Sequence, residues 1–105
     1  FSYTDCGPCE EMYPRNRALV EELAGKPFVF VSVMRDPKLE TTSTAIASKK
    51  ITWRVWLDGE ATISQQWNVR AWPTIYVIDS GGVIRYEGLR GENLSLAVHK
   101  LLDED

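Results

Sequence analysis

Apolar residues along this 105-residue chain fall into blocks that alternate between helical and extended spacing. Phe28-Val29-Phe30-Val31-Ser32-Val33-Met34 is almost unbroken and β-prone, the pattern of a strand buried on both faces. Ahead of it, Met12, Leu19, Val20 and Leu23 form one stripe and predict a helix over 9–23. Pro14 falls inside that helix and should kink it, and Gly25-Lys26-Pro27 stops it. Phe1-Ser2-Tyr3 reads as the tail of a strand entering a loop. Asp36-Pro37 turns the chain, and the Thr-rich stretch to Lys50 reads as helix. Arg54-Val55-Trp56-Leu57 is a short strand and 61–67 a short helix. Two β-prone runs, 74–79 and 83–87, flank Ser80-Gly81-Gly82 and read as a hairpin. Leu94, Ala97, Val98, Leu101 and Leu102 give a closing helix over 92–102 its apolar face.

This order of elements predicts an α/β sheet with helices on both faces, built as one domain over 1–105. Composition narrows the function. With 44% hydrophobic and 26% charged residues the chain is ordinary globular material. A net charge of −3, mixed in sign along the sequence, argues against nucleic acid or an anionic membrane surface as partner. No apolar run approaches the roughly 20 residues of a membrane-spanning helix.

The two cysteines, Cys6 and Cys9, are too few for a disulfide scaffold. A bridge between them closes a very short loop and constrains the unfolded chain little, so their role is chemical rather than stabilising. A structural zinc site needs about four ligands. The chain offers no further cysteine, and its one histidine, His99, lies far off on the last helix, where it reads as a surface or helix-end residue. A pair of inert buried cysteines is the plain alternative.

Cys6-Gly7-Pro8-Cys9, set between a strand end and a helix start, resembles the thioredoxin active-site loop. Pro14, five residues after Cys9, is similar in position to the proline that kinks the family's active-site helix. Val69-Arg70-Ala71-Trp72-Pro73-Thr74-Ile75-Tyr76-Val77-Ile78-Asp79 resembles the segment carrying its cis-proline and the strand after it. Asp79-Ser80-Gly81-Gly82-Val83-Ile84 and the helix-rich insertion before Arg54 resemble the TlpA/ResA-like branch of the thioredoxin-like superfamily.

The resemblance implies a thioredoxin fold, a central mixed sheet with helices on both faces, and thiol–disulfide exchange. The first sulfur then sits at a helix N-terminus, where the macrodipole and free N–H groups favour a thiolate on Cys6. Cys6 attacks a substrate disulfide, and Cys9, the more buried of the two, resolves the mixed disulfide. Gly7 and Pro8 shape the loop, Pro8 suiting a first helical turn because it has no N–H to satisfy. Pro73 is expected as a cis-proline facing the disulfide. The backbone of Trp72 would then pair with an extended substrate, and its indole is either a substrate contact or a core or rim aromatic. Trp53, Trp56 and Trp67 are expected as packing residues.

Departures from the family pattern are informative. Asp5 stands where thioredoxins usually carry Trp, and Met12 where the TlpA/ResA-like branch often has a glutamate that accepts a proton near the buried thiol. Glu11 is then the nearest candidate for that acceptor, with a solvated helix residue as the alternative. Asp5, Glu10 and Glu11 crowd the loop with carboxylates, and no Lys or Arg is closer in sequence than Arg15. In the family the strand entering the loop is central, and at most about four residues of it precede the cysteines here, so the N-terminal part of that strand is expected to lie upstream of Phe1.

The expected function is reduction of protein disulfides by a monomer without cofactor or metal, served by an upstream electron donor in an extracytoplasmic compartment, with the cytoplasm as the alternative. A thiol peroxidase is the competing enzyme, for which Thr4 is the nearest trace of the required Thr and Arg arrangement. A non-catalytic peptide-binding module using the Pro73 groove is the reading from another class.

Overall fold

The computed structural model describes residues 1–104. In chain order the elements are α1 (Gly7–Glu22), β1 (Val31–Met34), α2 (Leu39–Ala47), β2 (Arg54–Leu57), α3 (Thr62–Gln66), β3 (Tyr76–Ile78), β4 (Ile84–Glu87) and α4 (Glu92–Glu104). β1 and β2 pair in parallel, with Val31 opposite Arg54 and Met34 opposite Leu57. β3 and β4 pair antiparallel, with a register shift between Val77 and Ile78.

These two ribbons meet at the start of the chain. Ser2 forms a parallel bridge to Met34, its N–H donating to the Val33 carbonyl at 2.9 Å and its carbonyl accepting from the Arg35 N–H at 3.1 Å. On the other side Phe1 and Thr74 exchange hydrogen bonds: the Phe1 nitrogen donates to the Thr74 carbonyl at 2.8 Å, and the Thr74 N–H donates back at 3.2 Å. The expected α/β architecture and order of elements hold, with the sheet hydrogen-bonded in two halves and residues 1–2 between them.

Two buried clusters support these halves. One gathers Cys6, Cys9, Tyr13, Met34, Ala45, Ile51 and Trp53. The other brings Met12, Leu19 and Leu23 of the α1 region against Val77 of β3 and Leu94 and Val98 of α4. Each such aliphatic side chain contributes about 1.5–3 kcal/mol on burial, so α1 is clamped on two faces, one toward each cluster. Pro14 lies inside α1 without ending it.

Three expectations change. The strand foreseen over 28–34 is confined to Val31–Met34, because only there does β2 lie alongside to complete a ladder. Its burial alternates, with Ser32 and Met34 inside and Val31 and Val29 exposed, so it is not covered on both faces. Phe28 and Phe30 instead turn their rings to separate clusters. The first helix starts at Gly7, two residues early, since Cys6 supplies its N-cap. Among the tryptophans, Trp53 packs as expected, its indole N–H donating to the Ser32 hydroxyl at 2.6 Å. Trp67 stacks on Phe1 and Tyr76. Trp56, in contrast, is 61% exposed and does not pack as expected.

The short helix α3 is held by a residue ahead of it. Its N-cap, Ala61, has left-handed backbone and no capping side chain. The buried carboxylate of Asp58 does the capping, accepting from the N–H groups of Ile63 and Ser64, each at 3.0 Å, and from the Ser64 hydroxyl at 2.9 Å. Burial pushes the Asp58 carboxyl up, but these bonds together outweigh it and hold it below the usual carboxylate range. Because the folded value lies below the unfolded one, this stabilisation is complete above the unfolded carboxylate range and is lost as pH falls through the folded value. Asp58→Ala is expected to cost about 1–2 kcal/mol in urea unfolding at neutral pH, and to flatten the acid limb of a stability-against-pH curve. An unchanged acid limb would contradict the assignment.

Candidate functional site

Cys6 and Cys9 are joined in a disulfide, their Cα atoms 5.2 Å apart. Cys6 has extended backbone and is the N-cap of α1; the Cys9 N–H donates to its Sγ at 3.3 Å. The Glu10 N–H donates to the Cys6 carbonyl at 2.9 Å, closing the first helical turn. One of the orphan donors of the helix start is thus spent on sulfur, and a thiolate there would gain from the bond and from the positive end of the helix dipole. Gly7 and Pro8 form the exposed first turn, where the missing proline N–H costs nothing. The two cysteines are covered alike, each 2% exposed, so the expected difference in burial is absent in the disulfide form.

Asp5 has a positive φ of 66°. That region excludes most side chains and is favourable for Asn, Asp and Gly. A tryptophan would be strained there, which gives a local reason for aspartate ahead of Cys6.

A buried carboxylate that the sequence did not single out secures this approach. Asp36, just past β1, accepts from the Thr4 N–H and the Thr4 hydroxyl, both at 2.7 Å, and from the Thr42 hydroxyl at 2.6 Å. Asp36 and Thr42 are both buried. The cluster ties the residue two before Cys6 to the end of β1 and to α2. The only sequence signal was the Asp36-Pro37 turn, which placed the residue but not its partners.

The Trp72–Pro73 bond is cis, and Pro73 is buried. Trp72 packs against the cluster that contains both cysteines and meets Tyr3 edge-on at 6.3 Å. The Arg35 guanidinium lies 4.3 Å from the Trp72 ring centroid and 5.1 Å from that of Tyr3, within cation–π range. A cation therefore reaches the rim of the site from β1, which the sequence distances of Lys and Arg had not foreseen. The Arg90 guanidinium donates to the Pro73 carbonyl at 2.9 Å, while no hydrogen bond among the described residues engages the Trp72 main chain.

Glu11 is exposed on α1, outside the buried cluster around Cys9. His99 pairs with Glu22 at 3.0 Å on the surface. Among the described residues no group of three or more His, Cys, Asp or Glu side chains is placed to hold a metal ion, and no helix is long and apolar enough to cross a membrane.

A disulfide capping the first helix, beside a cis-proline segment in an α/β fold, defines a thioredoxin-fold redox protein. The family model named Redoxin matches residues 1–102, and the chain belongs to that family. Among solved structures it is similar to the thioredoxin domain of a thiol-disulfide oxidoreductase from Bacteroides vulgatus: 24% identity over 95% of this chain and 74% of the other, TM-score 0.86. A thiol:disulfide interchange protein from a Bacteroides species is also 24% identical, over 96% of this chain and 68% of that one, at a TM-score of 0.82. StoA from Bacillus subtilis superposes at 0.76 with 15% identity, over 94% and 75% of the two chains. These likenesses establish the thioredoxin fold. Comparison with curated proteins gives no match.

Thr42→Val tests the Asp36 cluster, since it keeps shape and removes one donor from a buried carboxylate. It is expected to cost about 1–3 kcal/mol in urea unfolding with an unchanged slope. A loss below about 0.5 kcal/mol would show that the cluster does not hold this region.

Proposed function

We propose that the protein reduces protein disulfides through a Cys6/Cys9 dithiol, by way of a mixed disulfide. The observation that carries this reading is the Cys6–Cys9 bond at the N-terminus of α1, with the Cys9 N–H directed at Cys6 Sγ. In the reduced state that N–H and the helix dipole favour the Cys6 thiolate, which attacks one sulfur of a substrate disulfide. Cys9 then attacks Cys6, re-forming the internal bond and releasing the substrate as a dithiol. The Trp72 backbone beside Pro73 receives the substrate as an added extended strand. An upstream donor returns the disulfide to the dithiol. One domain over 1–105 acts as a monomer, in an extracytoplasmic compartment.

A thiol peroxidase is less well supported. The Thr4 hydroxyl that could have served a peroxidatic cysteine is already donated to Asp36. Insulin reduction measured beside hydrogen peroxide consumption separates the readings: turnover with insulin and none with peroxide is expected. Peroxide turnover alone would favour the peroxidase, and neither would favour a binding module.

Two variants test the roles. Cys6→Ser is expected to abolish insulin reduction, while Cys9→Ser accumulates mixed disulfides through Cys6; trapping by Cys6→Ser instead would reverse the assignment. Asp5→Asn keeps a residue suited to positive φ and removes a carboxylate that disfavours the neighbouring thiolate. It should lower the Cys6 thiol pKa, read from the pH dependence of its alkylation, and a rise or no change would contradict that placement of charge.

A further inference from the structure

The mechanism above leaves Cys9 with a difficulty. It is buried, and burial penalises the thiolate that must form before it can attack Cys6. Glu11 is exposed, and Met12 offers no acceptor. Two polar groups near Cys9 are buried and unused. The hydroxyls of Tyr13 and Ser2 face one another and have no other hydrogen-bond partner, though their residues are only 4% and 7% exposed. A buried pair of hydroxyls with hydrogen-bonding capacity left over is costly, and asks for a further partner.

Both residues share surroundings with Cys9: Tyr13 belongs to the same buried cluster, and Ser2 lines the same cleft. Tyr13 follows Cys9 by four residues on α1, so the two side chains share one helix face. Cys9, Tyr13 and Ser2 line the same cleft of about 530 Å³ between the two halves of the sheet. The phenol ring is fixed: it meets Trp53 edge-on at 5.5 Å, and Trp53 is itself anchored to Ser32. Ser2 is fixed by its backbone bonds to β1.

Resting on the proposed function, we infer that the Tyr13 and Ser2 hydroxyls form a hydrogen-bonding pair that serves Cys9 when the disulfide opens, Tyr13 donating to its thiolate. The structure fits the pair to this use. Burial raises the Tyr13 phenol above its usual range, the neighbouring Ser2 hydroxyl offsets this in part, and the carboxylates of Glu10 and Asp36 add to the rise. Tyr13 therefore stays protonated, a donor, throughout the range in which a thiol titrates. In the mixed disulfide the Cys9 thiol gives its proton to solvent through the cleft it lines with Ser2 and Tyr13, and its sulfur attacks Cys6 Sγ. The Cys6–Cys9 bond forms and the bond from Cys6 to the substrate sulfur breaks. The electron pair leaves on that sulfur, which then takes up a proton. The dithiol is oxidised and the substrate disulfide reduced. Tyr13 and Ser2 are positioning residues that lower the barrier to the thiolate without being consumed.

The test does not depend on turnover. In a Cys6→Ala background, Cys9 is the sole thiol, and its ionisation is followed by ultraviolet thiolate absorbance and by alkylation rate against pH. Adding Tyr13→Phe, which preserves the ring and its contact with Trp53, is expected to raise the Cys9 pKa by about one unit, a tenfold smaller thiolate fraction near neutrality. Ser2→Ala should shift it in the same direction by less, and Ser2→Thr should restore it; circular dichroism confirms that each variant folds. Superimposable Cys9 titrations with and without the Tyr13 hydroxyl, in folded protein, would overturn the inference. A second arm uses the intact Cys6/Cys9 pair. Tyr13→Phe should slow collapse of a preformed mixed disulfide about threefold, the tenfold smaller thiolate fraction being partly offset by a more nucleophilic thiolate, while leaving its formation by Cys6 unchanged. Slowed formation with unchanged collapse would also overturn it. A failure of the proposed function shows separately, as absence of mixed disulfide in every variant.

Discussion

The site depends on one buried carboxylate. Asp36 receives three hydrogen bonds, two from Thr4 and one from Thr42, and so binds the loop before Cys6, the end of β1 and the body of α2 into one unit. Charge-assisted bonds of this kind are short and strong, and removing one donor leaves a buried carboxylate under-satisfied. The rest of the geometry follows. With Thr4 fixed, Asp5 takes its left-handed conformation, Cys6 arrives as N-cap, and α1 begins with a sulfur facing its free N–H groups.

From that point the fold explains how chemistry and packing share the same residues. The helix carrying the cysteines is pressed between two buried clusters, one containing the disulfide and one joining α1 to β3 and α4. The cis-proline segment reaches the first cluster through Trp72, whose ring meets Tyr3 edge-on, with the Arg35 guanidinium over both rings. Arg35 and Asp36 are adjacent at the end of β1. One side chain holds the approach to the cysteines and the next braces the aromatic rim. A short strand thus organises both sides of the redox centre.

Much of this was legible in the sequence because it rests on local rules. The helix stripe of Met12, Leu19 and Leu23, the hairpin around Gly81-Gly82 and the Cys6-Gly7-Pro8-Cys9 loop each follow from spacing or turn chemistry, and the structure contains all three. The cis bond at Pro73 was implied by resemblance and is present. What was not legible depends on long-range contact. Nothing local to Asp36 announces Thr4, 32 positions away, as its partner. Nor could sequence distance show that Arg35 rather than Arg15 stacks on Trp72. The apolar run 28–34 reads as a covered strand, yet hydrophobicity alone does not reveal that a partner runs alongside only at Val31–Met34. Tyr13 and Ser2 are unremarkable in the sequence for the same reason: only the fold buries both hydroxyls in the cleft that Cys9 also lines.

The central claim is that Cys6 and Cys9 form a reversible two-electron couple rather than a static cross-link. Equilibrating the protein in graded dithiothreitol and glutathione buffers, then alkylating and weighing the products, reads this directly. A single two-electron transition is expected, with both thiols appearing together and a midpoint nearer −270 mV than −120 mV, since Asp5, Glu10 and Glu11 oppose the helix dipole at Cys6. A disulfide that resists dithiothreitol, thiols that modify independently, or a midpoint at the oxidising end would contradict the account.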